Sequence, residues 1–258
     1  MPEGDTIHYA AHRMRPVLVG REPEEILTPH PRFRADRWPE RLAGRTVRAV
    51  DAHGKHLFLR FEGDLTIHSH LRMTGVWATY ERGRRWKRSP RRAWLVLRAG
   101  DHEVVQFDGP VLELMTDSRT RFDRRIAQLG PDVLGEELDV DEVVRRLRGD
   151  DPTRPIGDAL LDQRTIAGIG NLWKCEGCHA AAVDPWRPAG EVTDDQVREI
   201  LAWVRPQMQH SALHGFAARP RAVFELTGRP CPRCGARIEQ RGQWEDNRPT
   251  YWCPGCQR

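Results

Sequence analysis

Three observations predict an α+β fold with a β-rich N-terminal part, a helical C-terminal part and a metal-clamped tail. Apolar residues at helical spacing open the chain, and short β-branched runs fill residues from about 45 to 116. Beyond about 120 the pattern turns helical, until two Cys-x-x-Cys pairs close the sequence. At 258 residues the chain is long enough for two ordinary domains. The division expected is 1–130, 131–222 and 223–258.

The opening helix runs from Thr6 to Val19, because Ile7, Ala10, Ala11, Met14, Val17 and Leu18 fall on one face. Asp5 or Thr6 can cap its start and Gly20 suits its stop. The strands expected are Val47–Val50, Leu57–Phe61, Leu65–His68, Trp94–Leu97 and Val104–Phe107. Gly54, Gly63-Asp64, Gly100-Asp101 and Asp108-Gly109-Pro110 separate or end them, a pattern that suits a sandwich or a barrel. Val140–Leu147 and Ile156–Leu161 are amphipathic, with Pro155 well placed at a helix start. Asn171–Ala182 and Asp194–His210 follow, and Pro206 is expected to kink or shorten the latter.

Cys231-Pro-Arg-Cys234 and Cys253-Pro-Gly-Cys256 are separated by 18 residues. Two such knuckles with room for two strands and a turn fit a four-thiolate zinc site on a β-hairpin. With four protein ligands the metal is structural and keeps no open position. Cys175 and Cys178 form a third pair inside a helical stretch and read as small buried hydrophobes on one face.

Apolar content is 39% and charged content 30%, which suits a soluble globular protein, expected to be cytoplasmic. No stretch approaches the ~20 apolar residues of a membrane span, and no signal peptide is evident. Net charge is +4, a mild bias toward a polyanion partner. Residues 82–92 read Arg-Gly-Arg-Arg-Trp-Lys-Arg-Ser-Pro-Arg-Arg, seven positive charges and no acid. Such a run is either a solvated loop or a phosphate-neutralising one. Of 41 cationic residues only Lys55, Lys87 and Lys174 are lysines. Lysine can give up its proton where arginine does not, so each of the three invites a functional role.

The N-terminus reads Met1-Pro2-Glu3-Gly4-Asp5-Thr6. The small Pro2 side chain predicts removal of Met1, leaving a secondary amine beside an acid. An α-amino group titrates near ~7.7–8 and a lysine near ~10.4, so the terminal amine is neutral roughly 10²–10³ times more often at pH 7. A neutral amine can attack a carbonyl-level carbon and form a Schiff base.

Taken in order, Pro2-Glu3-Gly4, Gly54-Lys55-His56-Leu57 and His70-Leu71-Arg72-Met73-Thr74-Gly75 are followed by Leu160-Leu161-Asp162-Gln163 and Ala167-Gly168-Ile169-Gly170-Asn171. The series ends on Asn247-Arg248-Pro249-Thr250-Tyr251-Trp252-Cys253-Pro254-Gly255-Cys256-Gln257. This succession resembles the formamidopyrimidine-DNA glycosylase/endonuclease VIII family of base-excision repair enzymes over essentially the whole chain. The resemblance implies an N-terminal β-sandwich flanked by a helix, a helical domain with a helix–two-turn–helix, and a β-hairpin zinc finger. It implies a bifunctional DNA glycosylase/AP lyase, monomeric, acting on damaged double-stranded DNA and carrying one structural Zn2+ on Cys231, Cys234, Cys253 and Cys256.

The same resemblance assigns roles. Pro2 is the nucleophile at C1′, Glu3 the acid at the sugar ring oxygen, and Lys55 a phosphate-contacting residue and acid for the elimination steps. Arg248 reaches the phosphates flanking the lesion. Asn171 and the N–H groups of the Gly168–Asn171 turn make a further phosphate site, the plainer reading of Asn171 being a helix cap. Met73 is the wedge that fills the gap left by a flipped nucleotide, although a Met after a strand is commonly core, and Arg72 faces the orphaned base. The formamidopyrimidine branch carries an Arg-Arg-Phe segment where this chain reads Gln106-Phe107-Asp108-Gly109-Pro110-Val111-Leu112-Glu113. That departure favours the endonuclease VIII branch and oxidised pyrimidines. Gln128, before Leu129-Gly130-Pro131-Asp132, stands where that branch usually has an arginine on a phosphate. The rival readings are a catalytically silent damaged-DNA-binding protein, an 8-oxoguanine-preferring glycosylase, and an unrelated zinc-ribbon protein that leaves the N-terminus unexplained.

Overall fold

Ile7, Ala10, Ala11, Met14, Val17 and Leu18 are all buried along one face of helix α1 (Gly4–Leu18). Burying each of the larger ones is worth about 1.5–3 kcal/mol. The computed structural model describes residues 2–33, 36–243 and 247–258, with Ala218 described for its backbone alone. The chain falls into two units, Pro2 with Thr6–Ala127 and Glu3–Asp5 with Gln128–Arg258.

The N-terminal unit is a sandwich. Its strands are β1 (Glu25–Leu27), β2 (Val47–His53), β3 (His56–Phe61), β4 (Leu65–His70), β5 (Val76–Glu81), β6 (Ala93–Ala99), β7 (His102–Phe107) and β8 (Val111–Thr116). They form two antiparallel four-stranded sheets, ordered β1-β6-β7-β5 and β2-β3-β4-β8. Leu57, Leu59 and Ile67 of one sheet share a core with Leu95, Leu97 and Val104 of the other and with the apolar face of α1. Trp77 Nε1 donates to Ser69 Oγ at 3.1 Å, tying the sheets together inside that core. Helix α2 (Trp38–Leu42) closes one side, and α3 (Asp117–Phe122) and α4 (Arg124–Ala127) follow β8.

The C-terminal unit packs α5 (Val140–Arg148), α6 (Ile156–Leu161), α7 (Asn171–Ala180) and α8 (Asp194–His214) around a second core that includes Leu160, Trp173, Ile200 and Val204. Its tail is the antiparallel hairpin β9 (Glu239–Gln243) and β10 (Arg248–Trp252), with Arg248 opposite Gln243. Residues 244–246 lie outside the described residues.

Two expectations need correction. Pro206 does not shorten α8, which continues to His214. Val204, Met208, Ser211 and Ala212 are all buried, and that packing outweighs the one backbone hydrogen bond that proline removes. Nor does Asp5 cap α1. It lies within the first turn, fully buried, and accepts hydrogen bonds from Arg219 Nε at 2.8 Å and Nη2 at 2.7 Å and from Ser211 Oγ at 2.5 Å.

Candidate active site

The first residues of the chain are seated against glycines. Gly4 N–H donates to Gly168 O at 2.9 Å. A Cβ on Gly4 would stand 2.8 Å from Gly168 Cα, and one on Gly170 would stand 2.3 Å from Glu3 Cδ. Gly168 itself has φ 104°, the left-handed region that glycine adopts most easily. Gln163 braces this turn, accepting from Gly168 N–H at 3.0 Å and donating to Ile169 O at 3.1 Å. The glycines of Ala167-Gly168-Ile169-Gly170 are therefore the room into which Glu3 fits.

Glu3 is 1% exposed, and its Oε1 accepts from Leu172 N–H at 2.9 Å. Leu172 is in the first turn of α7, where N–H groups lack intrahelical partners and the helix dipole favours an anion. The chain's own carboxylate thus occupies the N–H of Leu172, next along from the Gly168–Asn171 turn. Pro2 precedes Glu3, half-buried.

Asn171 is 2% exposed, and its Nδ2 donates to Pro249 O at 2.7 Å. It is not the cap of α7; Gly170 holds that position with no side-chain bond. Lys174, one turn on, is fully buried and donates to Thr250 Oγ1 at 2.5 Å and Gln243 Oε1 at 3.2 Å. Burial pushes its amine below the ordinary lysine value, with Asp158 and Glu3 among the groups opposing that shift. Helix α7 is in this way bonded to both strands of the hairpin that carries Arg248, which is half-buried at the start of β10. Glu176 completes the seam by accepting the backbone N–H groups of Ala222, Val223 and Phe224.

In the N-terminal unit Lys55 sits half-buried in the turn between β2 and β3, after Gly54 at φ 54°. His56 beside it shares a 2.8 Å hydrogen bond with His68, Nδ1 to Nε2. His68 Nδ1 faces Glu113 Oε2 at 3.4 Å, and Arg125 Nη2 donates to that same oxygen at 2.7 Å. Burial, with His70, His68 and His53 nearby, pushes the His56 pKa down to about 2. Burial, with Arg72 and Lys55 close, lowers His70 to about 4. The imidazoles of His56 and His70 beside Lys55 are therefore neutral at physiological pH. After β4 the chain turns through Leu71–Gly75, closed by Gly75 N–H to Leu71 O at 2.9 Å. Arg72 (φ 49°) is exposed, and Met73 is 65% exposed, so Met73 is not core. Gln128 is exposed in the turn after α4.

The four finger cysteines converge, their sulfur atoms all within 4.8 Å of one another. Cys234 Sγ lies 3.4 Å from Cys253 Sγ, and Cys231 Sγ lies 3.8 Å from Cys256 Sγ. Four thiols at this spacing fit a tetrahedral metal, whose S–S edges are set by metal–sulfur distances near ~2.3 Å. His179 Nε2, from α7, lies 3.3 Å from Cys231 Sγ. Cys175 and Cys178 are fully buried in α7, and burial pushes their thiols up to about 11 and about 12.

The family model of the formamidopyrimidine-DNA glycosylase N-terminal domain matches residues 1–122, and that of the H2TH domain of the same glycosylase matches 129–216. The chain belongs to the formamidopyrimidine-DNA glycosylase/endonuclease VIII family. Among relatives, the probable endonuclease 8 2 of Streptomyces coelicolor is 39% identical over all of this chain and 94% of its own. The DNA-(apurinic or apyrimidinic site) lyase Nei2 of Mycolicibacterium smegmatis is 36% identical over all of this chain and 99% of its own. Escherichia coli endonuclease 8 is 30% identical over the full length of both chains. In structure, Lactococcus lactis Fpg in complex with abasic-site DNA superimposes with a TM-score of 0.83 at 22% identity, covering 99% of each chain, so the fold is that of Fpg.

Several structural partners escape a reading of the sequence alone. Asp5, Arg219 and Glu176 act through partners many residues away, and no local pattern marks them. Lys174 does carry a signal, being one of only three lysines.

Proposed function

We infer that this chain is a bifunctional DNA glycosylase and AP lyase of base-excision repair. The observation that carries the reading is the buried Glu3 carboxylate, bonded to Leu172 at the start of α7 and joined directly to Pro2, in a chain matched along its full length by endonuclease 8 relatives. Once Met1 is removed, the Pro2 nitrogen is a secondary amine. It attacks C1′ of a flipped nucleotide, the N–C1′ bond forms, and the bond to the damaged base breaks as the base leaves with a proton. Glu3, protonated to its carboxylic acid form from solvent before this step, delivers that proton to the sugar ring oxygen, which opens the ring and leaves an iminium between Pro2 and C1′. That iminium acidifies C2′. Loss of the C2′ proton expels the 3′ phosphate by β-elimination, and δ-elimination releases the 5′ phosphate. Water then hydrolyses the iminium and restores the amine.

Lys55 acts on the phosphate and as acid in the eliminations. Arg248 holds a flanking phosphate with its guanidinium fork. Asn171 has a second amide hydrogen left after its bond to Pro249 and directs it to phosphate. Met73 fills the vacated stack and Arg72 meets the orphaned base, while Gln128 contacts backbone. Cys231, Cys234, Cys253 and Cys256 would hold one structural zinc that fixes the hairpin bearing Arg248. The preferred substrates are oxidised pyrimidines in double-stranded DNA, handled by a monomer in the cytoplasm. Where the other branch has Arg-Arg-Phe, this chain makes a turn in which Asp108 is ion-paired with Arg88 and Arg92. No helix among the described residues is long and apolar enough to cross a membrane.

Borohydride trapping tests the chemistry. The protein should crosslink to DNA carrying an abasic site, and Pro2→Gly or a residue added ahead of Pro2 should lose most of that product. Undiminished trapping in the extended protein would move the nucleophile elsewhere. Faster excision of 8-oxoguanine opposite cytosine than of thymine glycol would reverse the substrate assignment and leave the catalytic one standing.

A further inference from the structure

The arginine-rich segment 82–92, between β5 and β6, takes no part in the chemistry above. It is nevertheless built as an ordered element. Trp86 is folded inward, with Nε1 donating to the buried Glu103 at 2.5 Å and its ring meeting Phe107 edge-on at 5.5 Å. Lys87 N–H donates to the Tyr80 hydroxyl at 3.2 Å, and Gly83 turns the chain at φ 81°. The cations then divide into two groups. Arg82, Arg84, Arg88 and Arg92 pair with Glu24, Glu81 and Asp108. Arg85, Lys87 and Arg91 are exposed and have no carboxylate partner among the described residues.

The paired group anchors the segment to the wedge. Arg88 Nη1 donates to Asp108 Oδ2 at 2.7 Å and to Thr74 O at 3.2 Å, and Thr74 directly follows Met73. Arg92 Nε donates to Asp108 Oδ1 at 2.9 Å, and Asp108 N–H donates to Arg92 O at 3.0 Å. Asp108 sits in the turn that replaces the other branch's wedge segment. The residue that this chain has there instead fastens a cationic loop beside Met73.

We propose that segment 82–92 is a second phosphate-binding element, gripping the DNA backbone beside the wedge through Arg85, Lys87 and Arg91. This rests on the glycosylase reading, which sends Met73 into a duplex. The chemistry favours nucleic acid over other anionic partners. The segment's one large apolar side chain, Trp86, is turned inward, which leaves neither an anchor for a membrane surface nor the apolar centre of a protein interface. Three cations on a pre-ordered loop meet a row of phosphates at little ordering cost.

The test is the salt dependence of binding to a duplex carrying a tetrahydrofuran abasic analogue, and to the same duplex undamaged, for the wild type and Arg85→Ser/Lys87→Ser/Arg91→Ser. The slope of log K against log[KCl] should become shallower by about 0.9 for each phosphate left without its cation, up to about 2.7, and equally on both duplexes. The three side chains make no hydrogen bond or ion pair among the described residues, so the variant should unfold at the wild-type temperature. An unchanged slope overturns the proposal. Borohydride trapping by the wild type, run alongside, separates the two ideas. Trapping with an unchanged slope sinks the loop alone, and a shallower slope without trapping keeps the loop and sinks the glycosylase reading.

Discussion

The Glu3 carboxylate accepts a hydrogen bond from the Leu172 backbone N–H at 2.9 Å, across 169 residues of sequence. It reaches that partner because Gly170 offers no side chain. An alanine there would place a carbon 2.3 Å from Glu3 Cδ, although Gly170's φ of −122° suits any residue. The cost is thus steric and specific to Glu3. Gly170→Ala is expected to destabilise the protein by about 1–3 kcal/mol and to cut base excision at least ten-fold. In a Glu3→Gly background the same substitution should cost far less, a coupling that urea unfolding of the four proteins would measure. Additive penalties would show that the two residues do not press on each other.

Stability should fall as the pH drops from about 6.5 to 5. His56 and His70 have folded pKa values of about 2 and about 4, both below the ordinary 6.5. Above 6.5 both states are neutral and nothing is lost. Below it the unfolded chain takes up protons that the folded one refuses, at up to about 1.4 kcal/mol per pH unit per histidine. Carboxylates held low, such as Asp123 and Asp162 at about 2, act only below their unfolded values near 4 and leave this window to the imidazoles. Urea unfolding of His56→Gln at pH 7 and pH 5 should show a smaller pH penalty than the wild type. Equal penalties would mean that His56 is protonated in the folded state.

Metal analysis should find close to one zinc per chain, and Cys234→Ser should abolish it. Since such a metal supplies about 10–16 kcal/mol of local folding free energy, DNA affinity should fall more than ten-fold with it. A zinc-free protein that binds DNA normally would remove the finger from the interface.

Met73→Ala should leave stability within about 0.5 kcal/mol of wild type, because the side chain is 65% exposed. Single-turnover excision from duplex should fall at least ten-fold, and excision from single strands much less, since only a duplex has a gap to fill. Equal effects on both substrates would count against a wedge.

The parts of the fold written in local patterns are legible in the sequence. The six-residue face of α1, the short apolar runs of β3 and β6, and the paired cysteines each state their structure within a short window. Strands β5 and β8 are not. β8 is Val-Leu-Glu-Leu-Met-Thr, rich in helix formers, and only its pairing with β4 makes it a strand. Family motifs supply Pro2, Glu3, Lys55 and Arg248. They leave unexplained why glycines cluster at 168–170, because the reason lies at the other end of the chain. The Asn171 bond to the finger is likewise hidden, since a helix-opening asparagine ordinarily signals a cap.

Asp5 and its guanidinium partner Arg219 are 214 residues apart, and this separation imposes an order on synthesis. A ribosome adding about 5–20 residues per second needs roughly 10–40 seconds to travel that far. Throughout this interval Asp5 lacks Arg219, and for most of it Glu3 lacks Leu172 and Asp5 lacks Ser211, so these contacts cannot yet hold the first residues. An aminopeptidase then has its opportunity to strip Met1 and expose the Pro2 amine. Once Arg219 has cleared the exit tunnel, the terminus can be drawn into its glycine-lined seat and the trimming window closes. Late translation of one arginine thus sets how long the other end of the chain waits for its partner.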